Sequence, residues 1–218
     1  MIGIALFLLL AQGVKPWDDR PGAAPQTKGG YDVELVGWVD SVGRVGSLAA
    51  SKDGKVVYVD TYEDTLVIVD ISDPANPYIY NKMARSDLNA GAVAVSDTFL
   101  YVWWYHWPSF DPVVLSIFGI SDPLNPRLLV EREYNYIPDF YWGTPCEVHG
   151  DTLYAFRLQA VDLSDHLNPT LISSAEAEIW AYSFAPPYSF HISNQTPPYS
   201  NWEIWDLSDP SHMFMVHR

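Results

Sequence analysis

Short apolar runs broken by turn residues dominate the chain. LVIVDISDPANP runs from Leu66 to Pro77, LSIFGISDPLNP from Leu115 to Pro126, and LQAVDLSDHLNP from Leu158 to Pro169, while WEIWDLSDPSH begins at Trp202. Each copy sets an apolar five-residue stretch ahead of a Ser-Asp turn. The turn serines, Ser72, Ser121, Ser164 and Ser208, lie 49, 43 and 44 residues apart. Repetition at such a period, rather than any single segment, sets the architecture.

Each unit divides further. A second short strand precedes each copy: VVYVD at 56–60, FLYVWW at 99–104, TLYAF at 152–156 and YSFHI at 188–192. A weaker one lies upstream again, as in GAVAVS at 91–96 and PCEVHG at 145–150, and a fourth follows each turn, as in PYIYNKM and PRLLVER. Four strands joined by tight turns such as Lys52-Asp53-Gly54 describe an antiparallel meander that cannot bury both its faces alone. The predicted fold is therefore all-β, a propeller-like array of four four-stranded blades at about 45–86, 87–134, 135–177 and 178–218. A β-sandwich is the rival, but it has no need of a repeated sequence. Residues 31–38 read as an extra outer strand ahead of the first blade. Together these predict an open arc or a fragment of a larger propeller, with apolar terminal faces that favour self-association.

Leu66-Val67-Ile68-Val69-Asp70 and the Ser-Asp-Pro-x-Asn-Pro turn behind it carry a family resemblance. From about residue 31 onward the chain resembles the LVIVD-repeat proteins. The resemblance implies a bacterial or archaeal, exported or surface-associated propeller with no established enzymatic activity. Gly119 in place of the Asp, His166 in place of the first Pro, and the missing Asn-Pro of the fourth copy are departures from the pattern that touch turn regularity.

The turn carboxylates Asp73, Asp122, Asp165 and Asp209 suggest a calcium ring, but equivalent positions on different blades stand too far apart to share one ion. A structural role suits them better, because Asp and Asn side chains bond their own backbone two residues on and Pro fixes φ. Strand parity places the variable loops together on the opposite face, where function commonly rides. Their composition is aromatic: Tyr105, His106, Trp107 and Phe110 in the second blade, Tyr136, Tyr141 and Trp142 after it, and Tyr199 in the fourth. These eight residues are the candidate ligand-binding set, suited to stacking on sugars or gripping peptide side chains. Trp103 and Trp104 continue a strand and are assigned to the core instead.

Charge and chemistry narrow the reading. Twenty-seven acidic against 12 basic residues give a net charge of −15, which opposes nucleic-acid binding and docking on anionic lipid. Cys146 is the single cysteine, so neither an intrachain disulfide nor a CxxC zinc site can form. The six histidines show no short-spaced pair, and no GxSxG, phosphate loop or HExxH is present. No cofactor, metal site or catalytic residue is assigned. Asp60, Glu63, Asp64, Asp111 and Asp139 are the carboxylates placed near the variable face. The expected function is a non-catalytic scaffold for a glycan or protein ligand. The alternative is a hydrolase or lyase using carboxylates or a metal at the central channel. Residues 2–11 form an apolar run too short to span a bilayer, which suits a signal segment over 1–13, with 14–30 as a linker. A buried first strand is the other reading of that run. The former predicts an extracytoplasmic protein with no membrane insertion once the segment is removed.

Overall fold

The computed structural model describes residues 6–14, 31–106, 113–134, 146–155, 158–175, 181–194 and 200–217, and every element among them is a strand. β1 (Leu6–Val14) and β2 (Tyr31–Val39) form an antiparallel ribbon of their own. The strand expected over 31–38 thus joins none of the larger sheets, because the apolar run at the start of the chain supplies its partner.

Four antiparallel four-stranded sheets follow in chain order. Blade one holds β3 (Val45–Ala50), β4 (Val56–Thr61), β5 (Thr65–Asp70) and β6 (Tyr78–Ala84). Blade two holds β7 (Asn89–Val95), β8 (Phe99–Tyr105), β9 (Val113–Gly119) and β10 (Arg127–Tyr134). Blade three holds β11 (Cys146–His149), β12 (Thr152–Ala155), β13 (Gln159–Asp162) and β14 (Thr170–Ser174). Blade four holds β15 (Ala181–Ala185), β16 (Tyr188–Asn194), β17 (Ser200–Asp206) and β18 (Phe214–His217).

The middle strands explain why the sheets stack. Val-Val-Tyr-Val and Leu-Val-Ile-Val are β-branched and apolar on both faces, so each sheet needs cover on two sides. All six positions of β4 are buried. Val56, Tyr58, Leu66 and Ile68 pack against Leu100, Val102, Trp104 and Phe118 of blade two. Tyr101, Trp103, Leu115 and Ile117 face Leu153, Val161 and Leu163 of blade three. Tyr154, Leu158 and Ala160 meet Leu207 and Trp205 of blade four.

A tyrosine ties each blade to the next. Tyr58, Tyr101 and Tyr154 occupy one register position, opposite Ile68, Ile117 and Ala160. The Tyr58 hydroxyl donates to the Pro123 carbonyl at 2.7 Å, Tyr101 bonds the His166 Nδ1 at 3.2 Å, and Tyr154 reaches the Leu207 carbonyl at 3.5 Å. Each partner belongs to the Ser-Asp-Pro turn of the following blade or to the residue just before it.

Those turns are built as the sequence implies. Asp73 accepts the Ala75 amide at Oδ1 and the Asn76 side-chain amide at Oδ2, and Asp122 and Asp165 repeat the pattern with Asn125 and Asn168. In blade four Ser211 and His212 stand in, bonding Asp209 at 2.9 and 3.0 Å, so the turn survives without its Asn-Pro. Asp70, Asp162 and Asp206 cap the next turn amide at 2.8 Å, a bond that Gly119 cannot make in blade two.

The back of blade one is closed differently. Val39 and Val42 are buried against Val57, Val59, Val67 and Val69. Gly37 lies so close to the first turn that a Cβ there would sit 2.1 Å from the Pro74 carbonyl oxygen. Glycine is required by that approach. The end of β2 thus covers the turn that, in the later blades, a preceding tyrosine reaches.

Candidate functional site

Register fixes where the aromatic segments leave the sheet. Tyr105 pairs with Val113, and Val113 pairs with Tyr134. Tyr105, Val113 and Tyr134, which border segments 107–112 and 135–145, therefore stand side by side at one end of blade two. In blade four Asn194 pairs with Ser200 and frames 195–199 in the same way. In blade one the equivalent connection is a tight turn between the paired Thr61 and Thr65.

Of the eight candidate ligand contacts, two are described. Tyr105 is not a surface residue: it continues β8 and is buried at 2% exposure among Val113, Leu115 and their neighbours. Burial pushes its phenol up to about 12. His106, the next residue, is half-buried. Trp107, Phe110, Tyr136, Tyr141, Trp142 and Tyr199 lie outside the described residues. Trp103 and Trp104 are core, as assigned. Trp103 packs on Tyr134 with ring centroids 5.5 Å apart, and the Arg85 guanidinium covers Trp104 at 5.6 Å.

On the opposite face a cavity of about 490 Å³ opens between the turns of three blades. Lys52 comes from blade one, Asp97 and Tyr101 from blade two, and Asp151 and His166 from blade three. Lys52 and Asp97 form an ion pair, and the His166 ring lies 4.0 Å from that of Phe99. A second cavity of about 430 Å³ lies in the crease between the turns of blades three and four, lined by Tyr154, Phe184, Leu207 and Pro210. Such creases follow from stacking the blades. What sets the first apart is its mixed charge, drawn from three repeats.

Two buried polar groups escape sequence reasoning. Asp60 was expected near the variable face but is 1% exposed; its Oδ2 accepts the Ser47 hydroxyl at 3.2 Å, and Ser47 Oγ in turn accepts the Val93 amide of blade two. Desolvation pushes its carboxyl up to about 7, against the lowering effect of the Ser47 bonds. In blade four, Ser189 Oγ lies 2.8 Å from His191 Nε2, and His191 pairs across the strands with Glu203. Glu203 accepts the Trp205 indole N–H at 3.1 Å, and the His191 ring stacks on Trp205. Desolvation holds the imidazole down near 4, opposed by the Glu203 charge. A serine, histidine and carboxylate in sequence suggest a nucleophile and its base. Ser189 and His191 are wholly buried, however, so no substrate reaches them and the cluster binds strands together instead.

Cys146 is half-buried beside the core, and desolvation raises its thiol, the reverse of what a reactive cysteine needs. Among the described residues no group of three or more His, Cys, Asp or Glu side chains is placed to hold a metal ion.

With the repeat geometry in view, comparison with known proteins places part of the chain. Residues 43–83 match the LVIVD repeat. This segment coincides with blade one, from just ahead of β3 to the end of β6. No curated protein matches the chain. Among solved structures the chain is similar to a candidate 6-phosphogluconolactonase of Bacteroides fragilis NCTC 9343, at 11% identity and a TM-score of 0.59, covering 87% of this chain and 61% of that one. It is also similar to the RRP9 WD40 repeats, at 7% identity and a TM-score of 0.55, covering 80% of this chain and 51% of that one. U3-55K gives 7% identity and a TM-score of 0.54, with 80% and 52% covered. The chain thus spans little more than half the length of these structures. At such identities the likeness is one of fold, and the fold is a β-propeller.

Proposed function

We propose that the protein is an exported, non-catalytic binding scaffold that takes a glycan or protein ligand on the face from which segments 107–112, 135–145 and 195–199 leave the blades. One observation carries the reading: the Tyr105, Val113 and Tyr134 register, which sends two aromatic-rich segments out of the same end of blade two. The sheets below are rigid and closely packed, so extra chain length gathered at one end of them has the character of binding loops on a scaffold. Trp107, Tyr136 and Trp142 supply flat apolar surface of the kind that stacks on sugar rings or holds peptide side chains. The net charge of −15 turns polyanions away. Export rests on the apolar run at residues 2–11.

A glycan array and a pull-down from the native cell envelope test the reading. Binding that is lost in Trp107→Ala and Trp142→Ala, with unchanged thermal melting, is the expected result. Blank results in both assays would sink it. The mixed-charge cavity of Lys52, Asp97, Asp151 and His166 favours a second reading, in which a small ligand binds on the turn face. A thermal-shift screen in which hits vanish with Asp151→Asn would support that one instead.

A further inference from the structure

We infer that the turn-face cavity walled by blades one, two and three is a binding site for a neutral polyhydroxylated ligand, a single sugar ring or a cyclitol. This names the ligand class for the second reading above and rests on that reading. Three departures from the repeat meet there. Phe99 stands where blade one has Val56 and blade three has Thr152, each opposite the last residue of its third strand. That opposite residue is Asp70 in blade one and Asp162 in blade three, but Gly119 in blade two, so no side chain stands across from Phe99. His166 takes the place that Pro74, Pro123 and Pro210 hold in the other turns, and its ring lies 4.0 Å from that of Phe99. In the joint before, Tyr58 bonds a turn carbonyl; here Tyr101 bonds the His166 ring instead. The turn regularity lost at these positions is thus spent on the wall of one cavity, whose volume of about 490 Å³ lies within the range of small-molecule sites.

The lining decides the class. Phe99 and Val148 supply apolar wall, and Ser96 and Thr98 supply hydroxyls. An anion meets two carboxylates, Asp97 and Asp151, beside the single ammonium of Lys52, on a chain carrying −15. An organic cation meets that ammonium in turn. A zwitterion such as a free amino acid suits charges held apart, but Lys52 and Asp97 touch each other, so its carboxylate has to take Lys52 away from Asp97. Neighbouring hydroxyls break nothing. One donates to Asp97 while the next accepts from Lys52, and the ion pair stays intact. Both side chains are largely exposed, at 67% and 70%, so they retain donors and acceptors for this purpose. A further hydroxyl donates to Asp151, and the C–H face of the ring lies against Phe99.

Saturation-transfer difference NMR of the full chain tests this, with glucose, galactose, myo-inositol, glycine, choline and inorganic phosphate each at millimolar concentration. Binding of a sugar or of inositol is expected, with the strongest saturation on the C–H protons of one ring face. Affinity should fall about tenfold in Asp97→Asn, which removes a charged acceptor at constant shape. His166→Pro restores the residue of the other turns, so it should keep the fold and weaken binding as well. Trp107→Ala should leave binding unchanged, which separates this site from glycan binding on the loop face. Sugar binding indifferent to both Asp97→Asn and His166→Pro would overturn the inference. Glycine, choline or phosphate binding through Asp97, with no sugar or inositol bound, would overturn the ligand class while the turn-face reading stands. Silence from every probe would overturn both.

Discussion

The hydroxyl of Tyr58 donates to the carbonyl of Pro123, 65 positions further along the chain, at 2.7 Å. The bond joins the second strand of one blade to the turn of the next, and the ring around it is fully buried. Burial accounts for a phenol raised well above its ordinary range. Tyr58→Phe leaves the packing and removes the donor, so the Pro123 carbonyl loses its partner. The expected cost is about 1 kcal/mol in urea unfolding. Tyr154→Phe, whose bond is long at 3.5 Å, should cost less.

Core and surface aromatics should separate cleanly. Trp103 is fully buried between blades two and three, and Trp103→Ala is expected to cost about 3–5 kcal/mol through lost burial and the cavity left behind. Leu128, half exposed on an outer strand, should tolerate Ala within about 0.5 kcal/mol. Chemical denaturation of the two variants beside the parent checks both.

Asp60 makes stability depend on pH in an unusual sense. Its carboxyl is raised from 3.8 to about 7, so between those values the folded chain holds a proton that the unfolded chain releases. Stability therefore falls as pH rises through that window. Asp60→Asn keeps the shape and removes the titration, and should flatten the decline in urea midpoint between about pH 4 and about pH 7. His191 works the other way. It is held near 4 from an ordinary 6.5, so stability falls as pH drops from 6.5 toward 4.

The turn aspartates form a third class. Asp165 is lowered first by the Asn168 side-chain bond and then by the Leu167 amide, so its contribution is present above pH 3.8 and is lost as pH falls below it. Asp165→Ala should lower the melting temperature at neutral pH and make little difference in strong acid. Adding a chelator should not reproduce the loss, because the carboxylate serves amides.

Much of this architecture is legible in the sequence because the same turn chemistry recurs at Ser72, Ser121, Ser164 and Ser208, each behind an apolar strand. The limits are equally physical. Phe99–Tyr105 is apolar or aromatic throughout, so alternation cannot tell where β8 ends, and Tyr105 reads as loop when it is core. Asp60 reads as exposed because a carboxylate usually is, and only the Ser47 contact from a neighbouring strand shows otherwise. Ser189, His191 and Glu203 come together through cross-strand register, which no local spacing reveals. The run around Leu6–Val14 fits a leader or a strand equally well, and its pairing with Tyr31–Val39 is a tertiary fact.

The joint between blades has a consequence for how such a chain can change over time. Every interior unit brings both halves of the connection, a tyrosine to reach forward and a turn to be reached, within one period of 43 to 49 residues. A duplicated or deleted unit would find compatible neighbours on both sides without further adjustment. Blade number is then the property of this architecture most open to evolutionary drift.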